Sequence, residues 1–298
     1  MCRKYGAIEY EIYNDCIGIS GCDKSAEVVE IPDEIDELPV EFIDDNAFVE
    51  CRYLKTVVIP DSIRYIESYA FSYCTSLKSI NIPNKLKVIR EFAFSNCISL
   101  ESVTIPDSVT EIEESAFEDC EKLKSINIPD SVIVIGECAF SGCESLTSII
   151  IPKSVRCIEA FAFSVCMELT SVVIPDNVHY IRYGTFLNCE NLTSVIIPDS
   201  VTIIEQQAFR SCENLISVKI STSVTSIGLC AFCDCESLIS ITILNPECDI
   251  YDNSDTITSD FSNKFDGTIY GYDNSTAQKY AEKYNRKFIS LGEAPENK

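Results

Sequence analysis

Nine cysteines recur every 23 residues: Cys51, Cys74, Cys97, Cys120, Cys143, Cys166, Cys189, Cys212 and Cys235. Thiols can ligate a soft metal, exchange between dithiol and disulfide, or fill a core as small apolar groups. The fixed period sets equivalent side chains on successive rungs, parallel to one another, and nine cannot all pair. A buried, reduced ladder is expected. CAFCDC (Cys230, Cys233, Cys235) is a tighter cluster, but zinc requires four converging ligands. Cys235 belongs to the inward ladder, Cys230 and Cys233 occupy variable positions, Cys248 is the nearest further thiol, and the single histidine, His179, lies about two turns away.

Other chemistry is equally sparse. His179 has no fixed acid or nucleophile partner, so it reads as a surface residue. Neighbouring carboxylates such as Glu113 and Glu114 fall at variable positions and read as a solvated face. Asp249, Asp252, Asp255 and Asp260 could attract calcium, yet they lack the D-x-[DN]-x-[DN]-G spacing and its turn glycine. No phosphate-cradling glycine motif occurs. No catalytic, cofactor-binding or metal-binding residue is assigned, no cofactor is expected, and the chain reads as non-enzymatic.

The elements that carry these residues follow from the period. Isoleucines 59, 82, 105, 128, 151, 174, 197, 220 and 243 fall 23 residues apart, seven of the first eight followed by proline. With Ile105 as position 1, one unit reads IPDSVTEIEESAFEDCEKLKSIN. Position 13 is phenylalanine from Phe48 to Phe232, position 16 cysteine, position 19 leucine from Leu54 to Leu238, and position 22 valine or isoleucine. A turn of this kind cannot bury its own apolar face, whereas stacked turns give each residue a like neighbour above and below. Positions 1, 5, 8, 12, 13, 16, 19 and 22 are the expected core. Positions 19 to 1 alternate like a strand that the proline at position 2 ends, and Asp-Ser suits the corner after it. A second extended piece is expected at 5–8, and one or two helical turns at 12–19. Nine turns stack to about 40 Å.

The pattern L-x-x-[VI]-x-I-P-x-S resembles a leucine-rich repeat. The full 23-residue unit, I-P-x-S-V-x-x-I-x-x-x-A-F-x-x-C-x-x-L, is similar to the BspA-like leucine-rich repeats of bacterial and protist surface proteins, over about residues 31–243. That resemblance implies a right-handed leucine-rich repeat solenoid, mostly β with short helical or 3₁₀ turns and a parallel sheet on one face. It also implies adhesion or binding of host or extracellular proteins at a cell surface, and brings no catalytic residues with it. Three regions are expected: a hairpin cap over 1–30, centred on Asn14-Asp15; a solenoid over 31–242, with one 28-residue unit and eight of 23; and an α/β cap and tail over 243–298. In the last, 249–266 reads as an irregular loop, 268–272 as a strand, 274–285 as a helix with Ala277, Tyr280, Ala281 and Tyr284 inward, 287–291 as a strand, and 292–298 as a solvated tail.

Charge and composition restrict the partners. A formal net charge of −24 repels phosphate backbones and anionic membrane surfaces, so neither nucleic acid nor membrane insertion is expected. No stretch approaches the ~20 apolar residues of a span. Residues 1–15 hold no apolar signal core, which with many reduced thiols points to the cytoplasm, where the resemblance points to the surface. What remains is the sheet face. Position 21 is Thr56 and then serine throughout, including Ser148, Ser171 and Ser194, while position 23 varies. Ile150, Val173 and Ile196 at position 23 form an apolar stripe pointing away from the core, on what the family resemblance implies is the concave side, with Asn127 one rung earlier. This is the candidate protein-binding surface, against the plainer reading of β-propensity at a tolerant position. Position 7 offers a second stripe (Tyr65, Val88, Val134, Tyr180, Ile203), broken by Glu111 and Cys157. The alternative is a structural or self-associating module, a monomer or weak self-associate.

Overall fold

A computed structural model describes residues 3–258 and 265–295. Positions 21–23 form short strands that stack in parallel, displaced by one repeat at each step: Ser102, Val103 and Thr104 face Ser125, Ile126 and Asn127. Most of those in the 23-residue coils show an exposed–buried–exposed pattern, as in Ser102–Thr104 and Ser125–Asn127. The inward valine or isoleucine pins the register, because a one-residue slip would turn it to water. Among the described residues twelve rungs follow one another, from Val28–Glu30 to Lys287–Ser290, with residues 148–150 as the sixth. A second parallel ladder runs through two-residue strands at positions 7–8, for example Val88–Ile89, Glu111–Ile112 and Val134–Ile135.

Positions 9–19 do not form a continuous helix. They close a succession of i→i+3 turns, 3₁₀-like in their bonding: Ala116 N–H to Glu113 O, 3.4 Å; Glu118 to Ser115, 3.2 Å; Cys120 to Phe117, 3.3 Å; Leu123 to Cys120, 2.9 Å. Helical propagation stops because positions 11 and 15 adopt the left-handed region in every coil, as at Ser115 (φ 50°) and Asp119 (φ 55°). Even Phe92, Phe161 and the β-branched Val165 do so, at roughly 1–2 kcal/mol each. The stack offsets this cost. Left-handed residues turn alternate amides toward the next coil, where Ser115, Phe117 and Asp119 N–H donate to Glu137, Ala139 and Ser141 carbonyls at 2.8–2.9 Å. Backbone groups that a lone turn would leave orphaned become a third inter-coil ladder.

Inside, the nine phenylalanines from Phe48 to Phe232 are fully buried, and neighbouring rings lie nearly parallel. Phe140 stacks on Phe117 at 5.6 Å and on Phe163 at 5.5 Å between centroids. Alanine at position 12 leaves room for the ring. Its replacement, Thr185, is buried but satisfied, its hydroxyl donating to Arg182 O at 2.9 Å. A longer period is laid over the 23-residue one at position 9. Arg90 lies between Glu67 and Glu113, and four coils later Arg182 lies between Glu159 and Glu205. Gly136 and Gly228 complete each set. A Cβ on Gly228 would lie 2.5 Å from Gln206 N, so backbones of adjacent coils touch there.

The ends close differently. Ile8–Tyr13 and Cys16–Cys22 form an antiparallel hairpin that turns at Asn14-Asp15, and Arg3–Tyr5 adds a third strand. The five extra residues of the first unit form a second small hairpin, Glu34–Ile35 against Leu38–Ile43, turning through Asp36 and Glu37, both at positive φ. At the other end, strand Thr268–Gly271 continues the main sheet. Helix Thr276–Lys283 is capped by the Ser275 hydroxyl and buries Ala277, Tyr280 and Ala281, and strand Lys287–Ser290 forms the last rung.

Candidate functional site

The outward face of the main sheet carries positions 21 and 23. Ser148, Ser171, Ser194 and Asn127 are all exposed. Ile150 is 83% exposed, Val173 57% and Ile196 60%, on three successive rungs. Val173 and Ile196 are direct register partners. Sequence reasoning missed Ile216 and Ile239 at position 20. Both are exposed, each immediately before the strand of one of the next two coils. The position-7 stripe is weaker: Tyr65 and Tyr180 are exposed, whereas Val88, Val134 and Ile203 are half-buried.

The sheet is not continuous beneath this stripe. Its rungs divide into a five-stranded part ending at Ser125–Asn127, the pair Ser171–Val173 and Ser194–Ile196, and a four-stranded part beginning at Ser217–Ile220. Residues 148–150 join neither neighbour as a strand. The core loosens where the ladder lapses. Val195 is the half-buried exception among the inward residues of position 22. Three shallow grooves open along this stretch. One of about 630 Å³ runs from Ser102 through Asn127 and Ser148 to Ile150 and Pro152. A second, about 470 Å³, is lined by Ile149, Ile150, Ile151, Pro152, Val173 and Pro175, and a third, about 490 Å³, by Val195, Ile196, Lys219 and Leu244. Aspartates at position 3 edge all three (Asp107, Asp130, Asp176, Asp199), interrupted by Lys153. An apolar floor between a serine row and an acidic rim suits an extended polypeptide better than a small molecule.

The remaining chemical candidates are committed elsewhere. Each ladder thiol from Cys74 to Cys235 points at the position-13 carbonyl of the coil before it, at 3.1–3.4 Å, as Cys120 does to Phe94 O and Cys189 to Phe163 O. The second lone pair of that carbonyl explains why this position holds a small residue with a weak donor. Burial pushes the Cys97 and Cys189 thiols up to about 12, so they remain protonated. Cys233 directs its thiol to Asp234 and Cys235 to Phe209 O, so the three CAFCDC thiols do not converge on one point as metal ligands would. Among the described residues, no group of three or more His, Cys, Asp or Glu is arranged to hold a metal ion. His179 is exposed, its ring nitrogen 3.1 Å from Ser200 O. Glu113 is engaged by Arg90. Asp252 is taken by Lys283 at 2.6 Å and by the Tyr284 hydroxyl at 2.8 Å, while Asp260 and part of the expected 249–266 loop lie outside the described residues. No described helix is long and apolar enough to cross a membrane.

A parallel ladder of short strands, a buried leucine and phenylalanine spine and an exposed sheet face together define a leucine-rich repeat solenoid. The chain belongs to the BspA-type leucine-rich repeat family, whose six-copy repeat model matches residues 41–166 and 134–255. A leucine-rich cell surface protein from Faecalibacterium prausnitzii A2-165 is similar over 99% of this chain and 96% of its own, with 26% identity and a TM-score of 0.63. The T. pallidum leucine-rich repeat protein is 32% identical over 72% of this chain and 90% of its own, with a TM-score of 0.52. Among curated proteins no sequence matches.

Proposed function

We propose that the protein is a non-enzymatic, adhesin-like binding solenoid that grips an extended segment of another protein on the outward sheet face at Ile150, Val173 and Ile196. Asn127, Ser148, Ser171 and Ser194 supply polar contacts beside that stripe. The observation that carries this reading is three successive, largely exposed aliphatic side chains beside a row of serines at position 21. Rigid serines lose little entropy on contact, so the gain from covering the aliphatic groups is retained. Burial of each contributes roughly 1.5–3 kcal/mol. The cell-surface role stated for the F. prausnitzii relative supports an extracellular or host protein as the partner.

The test is capture by immobilised protein from self lysate and from extracellular host proteins, with identification of what is retained. The triple variant Ile150→Glu, Val173→Glu, Ile196→Glu should bind the captured partner more than ~100-fold more weakly, with an unchanged circular dichroism melt. Undiminished capture by that folded variant places the site elsewhere. A second reading, self-association, draws on the last rung. Lys287–Ser290 pairs on one side only among the described residues, and Ile289 and Leu291 beside it are exposed. Open edges of this kind template pairing with another chain. Sedimentation that stays monomeric at all concentrations removes that reading.

A further inference from the structure

The CAFCDC motif has a geometry unrelated to metal binding. In each coil the amide of position 14 donates to the carbonyl of position 11, and in this one Cys233 N–H meets Cys230 O at 3.2 Å. Such a turn holds its end Cα atoms within about 7 Å, overlapping the 4.4–6.8 Å over which disulfides form. Among the described coils only this one has cysteine at both positions. Its thiols escape the ladder rule: Cys230 is partly exposed, and Cys233 directs its thiol to the Asp234 carboxylate rather than to a carbonyl of the coil before it. We infer that Cys230 and Cys233 are a disulfide-forming pair, a clasp that closes the position 11–14 turn of the last regular coil.

The location gives the clasp a purpose. Beyond Ile243 the 23-residue period ends, and residues 256–258 are laid onto this turn as its next rung. Phe232 N–H donates to Thr256 O at 3.0 Å, Thr258 N–H to Phe232 O at 3.1 Å, and Cys235 N–H to Thr258 O at 3.1 Å. Asp234 N–H adds a bond to the Thr258 hydroxyl at 3.1 Å. A covalent link across the turn stiffens the seam between the repeats and the C-terminal segment, where identical neighbours no longer support the stack.

A disulfide such as oxidised glutathione serves as the oxidant. The Cys230 thiolate attacks one sulfur and releases glutathione. The Cys233 thiolate then attacks the mixed disulfide and releases a second glutathione. Two protein thiols are oxidised, one glutathione disulfide is reduced to two thiols, and the two protons the protein thiols give up are taken by the departing glutathione thiolates. Burial raises both protein thiols, Cys233 to about 12. Such thiols attack slowly and leave poorly, so the bond forms slowly and then resists reduction. It is a lock rather than a rapid switch.

The full chain, fully reduced, is incubated with oxidised glutathione, quenched in acid, alkylated under denaturing conditions, digested and weighed. The peptide holding Cys230 and Cys233 should lose about 2 Da, two hydrogens, with neither cysteine alkylated and Cys235 still alkylated. Exchange of the Thr258 amide should slow. Cys233→Ser should stop at the glutathione adduct on Cys230. Ser141→Cys, which recreates the pair with Cys138 four coils earlier, should yield a second clasp. Alkylation of both Cys230 and Cys233 after this treatment overturns the proposal, as does a persistent adduct on the unaltered chain or pairing of either with Cys248.

Discussion

Alkaline pH should unfold this protein far more steeply than its acidic composition suggests, and the cysteine ladder is the reason. Eight ladder thiols, Cys74 to Cys235, are raised above the ordinary value of 9.0, chiefly by burial. Because the folded values are raised, the unfolded chain releases these protons first. The contribution to stability is therefore complete below about pH 9 and is lost as pH climbs toward the folded values, about 12 for Cys97 and Cys189. Between about pH 9 and 10 the linkage removes ~1 kcal/mol for each buried thiol, or ~8 kcal/mol for the eight, comparable with the whole stability of an ordinary domain. Urea midpoints followed by circular dichroism, in reducing buffer, from pH 7 to about 10 measure the slope. Tyrosines titrate in the same region, so Cys97→Ala/Cys189→Ala serves as the control. It should begin less stable at pH 7, yet lose ~2 kcal/mol less over that interval. A flat midpoint up to about pH 10, or an identical slope in the double variant, would refute a solvent-free thiol ladder.

Two further expectations test the stack itself. Phe140→Ala should cost ~3–5 kcal/mol in urea unfolding. Phe48→Ala should cost less by about one ring contact, ~0.5–1.5 kcal/mol, because among the described residues Phe48 stacks on Phe71 alone; equal costs at the two sites would argue against pairwise stacking. Gly228→Ala forces a methyl against the backbone of Gln206 and Glu205 in the adjacent coil, at roughly 1–3 kcal/mol, and should lower the melting temperature by several degrees; an unchanged melt would mean the coils are not in contact there.

What the residues determine alone and what they determine only together divides along physical lines. The 23-residue period made the architecture, the inward rows and the reduced state of the ladder legible, because a core built from identical neighbours writes each contact into the chain as a spacing. The hairpin at Asn14-Asp15 and the helix after Ser275 were legible as well, since turn and cap preferences are local. The stripe of Ile150, Val173 and Ile196 could be placed on the outward face by alternation, and all three are exposed. The left-handed residues at positions 11 and 15 could not be foreseen. Their occupants range from Phe92 to Val165, and their conformation is dictated by inter-coil hydrogen bonds absent from any single unit. Ladder thiols meeting the preceding carbonyl, the lapse of the sheet at 148–150 and the aspartate-edged grooves share that origin. Each depends on how far one coil is shifted and rotated against the next, a quantity summed over every side chain in the stack and recorded at no one position.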